Sequence, residues 1–156
     1  MRVMFIVVFM LFSGFPVLAQ IIPQISPEDF QAVDNMTKSF AKWAQVQQQD
    51  FPKTPEEMLK LVQDFIYIRD YAKLTSEKFL KSVDSEFAQM FRDKFQAGAE
   101  NMAKGLAGLM KKPNDANAQA LLKKGQSLMM EFHQYYTKQT NRVAEQLQQQ
   151  LNPGSE

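Results

Sequence analysis

Apolar residues recur along most of the chain at three- and four-residue steps, the spacing that gathers side chains on one face of an α-helix. No stretch alternates with period two for long enough to predict a strand. The first stripe is Phe30, Val33, Met36, Phe40, Trp43 and Ala44. It follows Ser26-Pro27-Glu28-Asp29, where Ser26 suits the capping position, Pro27 the first helical position and Asp29 the return bond of a capping box. The stripe fades into Gln47-Gln48-Gln49 and stops before Pro52. Thr54-Pro55-Glu56-Glu57 repeats the same opening and leads into Met58, Leu61, Val62, Phe65, Ile68 and Ala72. The periodicity continues through Phe79, Val83, Phe87, Phe91, Phe95, Met102, Leu106 and Leu109. A break near Lys73–Ser76 is expected within this run, because a chain that folds back buries more apolar surface per residue.

Lys111-Lys112-Pro113-Asn114-Asp115 is the clearest turn: a basic pair suits a helix end, and Asn114 or Asp115 can cap the next helix. The last stripe is Ala118, Leu121, Leu122, Gly125, Leu128, Met129, Phe132, Tyr136, Val143, Leu147 and Leu151. At 1.5 Å per residue this helix reaches about 55 Å, longer than the first helix can cover. Its Gln-rich end, Gln146 to Gln150, is expected to project or to pair with another copy. The pattern predicts an all-α fold, an elongated antiparallel helical bundle of three to four amphipathic helices.

The amino terminus is of another kind. Arg2 is the only charge before Glu28, and Val3 to Phe12 are uniformly apolar. Gly14 and Pro16 break the run, and Val17-Leu18-Ala19 places small residues where a signal peptidase reads. A membrane span needs about 20 apolar residues, roughly twice this run. The expected organisation is therefore a signal peptide over 1–19, a single helical domain over 20–151 and a disordered tail over 152–156. The protein is expected to be exported, either periplasmic or secreted, with no transmembrane anchor. The absence of cysteine excludes both an acylated-cysteine lipoprotein and any disulfide.

Cleavage changes the charge balance. The whole chain has 18 Lys+Arg and 17 Asp+Glu, and residues 1–19 hold one Arg and no acid, so 17 of each remain. The remaining lysines interleave with acids along the helices, whereas a nucleic-acid binder gathers a basic excess on one face; no nucleic-acid partner is expected.

Catalytic constellations are missing from the sequence. With no Cys and a single His, His133, there is no Cys–His pair, and a Ser–His–Asp triad would rest on that one imidazole. A di-iron bundle needs Glu-x-x-His on inward faces, but the residue three before His133 is Met130. Gly98, Gly105 and Gly108 lie in a helical pattern and point to close packing rather than to a phosphate loop. Paired acids such as Glu56-Glu57 suit a helix start. The chain reads as a non-enzyme. Asn35-Met36-Thr37 matches a glycosylation acceptor in form, within the first amphipathic helix.

The stretch Phe51-Pro52-Lys53-Thr54-Pro55-Glu56-Glu57-Met58-Leu59-Lys60-Leu61-Val62-Gln63-Asp64-Phe65-Ile66 resembles a segment of the phasins, and the likeness runs loosely from Phe30 to Lys104. The resemblance implies a non-enzymatic, elongated helical protein without a cofactor that self-associates and covers apolar polyester or lipid surfaces. Phe65, Phe79, Phe87 and Phe91 are then the candidate apolar face, able to pack on one another or to lie on an apolar surface. Phasins work in the cytoplasm, so export separates this chain from the granule role of that family. A bland alternative is an exported adaptor that grips protein partners along its last helix.

A second resemblance is to the small periplasmic four-helix b-type cytochromes. It rests on Asp34-Asn35-Met36, Phe91-Arg92-Asp93-Lys94-Phe95 and Phe132-His133-Gln134-Tyr135-Tyr136. It implies non-covalent haem b with Met36 and His133 as axial ligands, a pair that raises the reduction potential, and with Phe91 and Phe95 packed on the ring. The last helix overshoots that family's by about five turns.

Overall fold

The computed structural model describes residues 26–50 and 52–151. The expected signal peptide and carboxy-terminal tail lie outside the described residues. All the regular structure among the described residues is helical: α1 Pro27–Gln47, α2 Pro55–Leu74, α3 Glu77–Val83, α4 Ser85–Met90, a π-helical turn Phe91–Gln96, α5 Ala97–Lys111 and α6 Ala116–Leu151. No described helix is long and apolar enough to cross a membrane.

The helix starts follow from their capping side chains. Ser26 Oγ accepts from the Asp29 N–H at 3.1 Å, and Pro27 opens α1. Thr54 and Glu57 form a complete capping box on α2: Thr54 Oγ1 accepts from Glu57 N–H, and Glu57 Oε2 accepts from Thr54 N–H. The expected break falls at Thr75–Ser76: α2 ends at Leu74, and Ser76 Oγ caps α3 by accepting from Phe79 N–H. A second break occurs at Asp84, which turns extended (φ −165°, ψ 135°) and accepts from Phe87 N–H at 2.8 Å. Asp115 caps α6, accepting from Ala118 N–H at 3.0 Å.

Polar contacts set the order in which the helices pack. Asn35 Nδ2 on α1 donates to Leu74 O at the far end of α2, and Lys42 meets Asp64 at 3.4 Å, so α1 and α2 run antiparallel. Residue 35, at 5 % exposed, is buried by this contact. An Asn so placed is no glycosylation acceptor on the folded chain. Lys73 on α2 pairs with Glu100 on α5 at 2.9 Å, and Gln96 Nε2, at the end of the π turn, donates to Ala72 O on α2 at 2.7 Å.

The contact between α5 and α6 is the closest and the most extensive. A Cβ added to Gly105 would stand 2.7 Å from the backbone N of Leu122, and one added to Gly125 would stand 2.8 Å from that of Met102. Backbones at this separation leave no room for a side chain, as the glycines inside the helical pattern implied. The matched positions, 98 with 125 and 105 with 118 to 122, make this pair antiparallel as well.

Two members of the α1 stripe depart from expectation. Phe30 is 66 % exposed and Ala44 is exposed, while Ala32, Asn35 and Ser39 are buried. Asn35 already meets the end of α2, so the first turn of α1, with Phe30, runs past its partner helix. Ala44 follows Trp43 by 100° of helical rotation and turns to solvent.

Candidate apolar interaction surface

The core is a network of aromatic rings drawn from α1, α4, the π turn and α6. Phe132 has no exposed surface. Its ring lies 5.0 Å from Phe95, 5.7 Å from Phe40, 6.1 Å from Phe91 and 6.2 Å from Phe87. Centroid separations of this size are those of favourable offset and edge-to-face pairs. The π turn adds two rings to the cluster: Phe91 and Phe95, four residues apart, have centroids 5.3 Å apart and planes inclined by 30°.

Each candidate apolar-face residue lies in this interior. Phe65 is 4 % exposed, Phe79 2 %, Phe87 3 % and Phe91 0 %. Phe87 and Phe91 touch within the aromatic network, while Phe65 on α2 and Phe79 on α3 belong to the same continuous core. In this conformation the candidate face looks inward.

Besides Phe30, Met110 and Met130 on other helices, the structure turns outward three apolar residues of α2 that the sequence stripe did not include. Leu59 (47 % exposed), Ile66 (36 %) and Leu74 (64 %) are exposed on α2. At 100° per residue they fall within about 80° of one another, on the side away from the buried Phe65, Ile68 and Ala72 and in the same sector as the exposed Gln63 and Asp70. Phe30 stands at the Leu74 end of the α1–α2 pair, as the Asn35–Leu74 hydrogen bond fixes. The sequence signal was available: α2 carries more apolar residues than one buried stripe needs, which leaves a residue such as Leu59 with no place on the inner face.

A charged and aromatic seam runs beside this line, where α1 meets α2. Lys38 pairs with Asp34 at 2.7 Å and lies 5.3 Å from the centre of the Tyr71 ring. Lys42 lies 5.6 Å from that of Tyr67. Asp64 is buried, and its Oδ2 accepts no hydrogen bond among the described residues. The Asp34 carboxylate, first by its hydrogen bond, raises the Lys38 ammonium above its ordinary value. On the α2–α5 side, hydrogen bonds from Lys104 and then Lys73 hold the Glu100 carboxyl down to about 2.

The residues of the haem resemblance are placed as follows. Met36, Phe91 and Phe95 have no exposed surface. His133 is exposed, its ring edge-on to Trp43 at 5.5 Å. Trp43 lies seven residues, about 10 Å, along α1 from Met36. The groove beside His133 is lined by Gln134, Thr137, Lys138, Asn141, Arg142 and Glu145, all on α6. The structure thus brings Phe91 and Phe95 together and sets His133 opposite Trp43 rather than Met36. In this packing the rings of Phe40, Phe95 and Phe132 stand between α1 and α6, and the four residues are not gathered about one space.

No group of three or more His, Cys, Asp or Glu residues that could hold a metal ion occurs among the described residues. Compared with protein-family models, with curated proteins and with solved structures, the chain matches none.

Proposed function

We propose that this is an exported, non-enzymatic amphipathic helical protein, phasin-like in its manner of working, that adsorbs to apolar or lipid-like surfaces and self-associates. In this reading the helices form an elongated antiparallel bundle released after cleavage at Ala19, and the workplace is the periplasm or the exterior. The single observation that carries it is the exposed apolar line Leu59–Ile66–Leu74 on a helix whose opposite face is already committed to the core. Exposed leucines scattered singly need no explanation, but three apolar residues on the side of a helix that is not packed on the core give an apolar surface a place to approach. The apolar interior supplies a second, larger reserve of the same chemistry. Acids and bases interleave along the helices, with 17 of each from residue 20 onward, which leaves adsorption to rest on apolar area rather than on attraction to anionic headgroups.

The test is adsorption at an oil–water interface, followed by interfacial tension against protein concentration. Replacing Leu59, Ile66 and Leu74 together by Ser should raise the concentration needed for half-maximal adsorption by about tenfold or more, since each buried side chain contributes about 1.5 kcal/mol or more. Adsorption unchanged by the triple substitution would remove the support this surface gives.

A further inference from the structure

The contacts that hold the helices together differ in kind from one interface to the next. Asn35–Leu74 and Lys42–Asp64 join α1 to α2, Lys73–Glu100 joins α2 to α5, and Lys94–Glu131 joins the π turn to α6. The interlocked glycines clamp α5 on α6. Between α1 and α6, by contrast, no hydrogen bond or ion pair occurs among the described residues. Rings meet here instead: Phe40 with Phe132 at 5.7 Å and with Tyr136 at 5.4 Å, and Trp43 with Phe132 at 6.3 Å and with His133 at 5.5 Å, and α1 meets the π turn in the same way, through Phe91 and Phe95. The rings also hold the two backbones apart, so close backbone approaches are few at this interface.

We infer that the α1–α6 seam is the opening of the molecule: on an apolar lipid surface α1–α2 and α5–α6 part along it as two hairpins, laying Phe40, Trp43, Phe132 and Tyr136 on that surface. This inference rests on the adsorptive reading above and names the face through which it acts. The physical argument concerns which interface an apolar phase weakens. Hydrogen bonds and ion pairs gain strength where water is excluded, so the polar contacts that join α1 to α2, α2 to α5 and the π turn to α6 persist at a lipid boundary, and the α5–α6 clamp needs none. Ring-to-ring burial is driven by exclusion from water, and an acyl phase satisfies it equally well. In water the closed seam is favoured; against lipid the same rings find an equivalent environment without each other. A ligand that interacts differently with two states shifts their balance, and here the lipid surface has that role. Burial raises the Tyr136 phenol above its ordinary value, in keeping with a seam that is dry when closed.

Trp43 is the only tryptophan in the chain and sits at the seam, so it reports opening without any substitution. The experiment mixes the chain with triolein particles coated in phosphatidylcholine with brominated acyl chains, separates bound from free protein by flotation, and reads Trp43 quenching in the bound fraction. A second arm bridges Gln47→Cys to His133→Cys with a reducible bifunctional thiol linker, in a chain that otherwise has no cysteine. The expected result is quenching of bound Trp43 by more than half, weak flotation of the bridged protein, and recovery of flotation and quenching when the linker is reduced. Flotation with Trp43 unquenched, and with the bridged protein floating as well as the reduced one, overturns the opening but leaves adsorption through the α2 line intact. Absence of flotation by the unmodified chain overturns the adsorptive reading and the opening together.

Discussion

Phe132 and His133 are neighbours on α6 with opposite environments. One is sealed among rings from three other helical segments, while the other lies edge-on to Trp43 in contact with solvent. Their 100° separation on the helix decides what chemistry the pair can support. A Met–His haem centre requires His133 to turn inward to Met36, into space that Phe40 and Phe132 occupy. Titration with haem is therefore expected to yield no sharp Soret shift on reduction. A shift that Met36→Ala abolishes would show that the interior rearranges to take the group.

Glu100 supplies a second prediction at this scale. Its folded carboxyl, held down to about 2 by Lys104 and Lys73, lies below the ordinary value of about 4.3 for an unfolded chain. A depressed carboxyl contributes stability that is fully present above the unfolded value and is lost as pH falls through the folded one. The melting temperature should fall between about pH 4.5 and pH 2, and Glu100→Gln should flatten part of that fall while lowering stability modestly at neutral pH. Hydrogen bonds from Lys81 and Lys94 lower Glu77 and Glu131 in the same direction, so the slope in the variant will shrink without vanishing. An identical pH profile in both proteins would contradict the role given to Glu100.

Among the elements, the α5–α6 pair shows how helix propensity and packing oppose each other. In an exposed helix, Gly→Ala gains about 1 kcal/mol. At Gly105 the new Cβ would press on the α6 backbone at 2.7 to 3.0 Å, and overpacking costs about 1–3 kcal/mol. Gly105→Ala should therefore destabilise the protein in urea unfolding despite the better helix former, and a raised midpoint would mean that α6 yields without strain. Helix class, the Ser26 and Thr54 starts, the turn before Asp115 and most of the core were legible from periodicity and caps. The Asp84 break was hidden because no Gly or Pro marks it. Its signal was a lone capping Asp, three residues before Phe87, in a stretch whose apolar spacing runs on undisturbed. The π turn left no trace in the sequence, since it alters rung geometry while keeping the four-residue spacing of Phe91 and Phe95. The candidate phenylalanines were legible as a face, but periodicity alone does not tell an inward face from an outward one. Leu59, Ile66 and Leu74 escaped notice because the eye follows the inner stripe, and single apolar residues off it read as ordinary surface positions.

The whole molecule combines a water-driven aromatic interior, polar contacts at several of its helix interfaces and an outer apolar line on α2. α6 spans 36 residues, about 54 Å, against 21 for α1. The part of α6 that outruns α1 is where the proposed self-association is expected to act. The central claim is that the chain partitions onto apolar surfaces, and flotation with neutral-lipid particles tests it most directly. Over rising particle concentration at fixed protein, the account predicts saturable recovery of the chain in the floating layer, little affected by raising salt to 0.5 M, since adsorption rests on apolar contact and not on charge, which added salt screens. A chain that stays in the aqueous layer at every particle concentration, as a compact monomer that unfolds in one cooperative step, would contradict it.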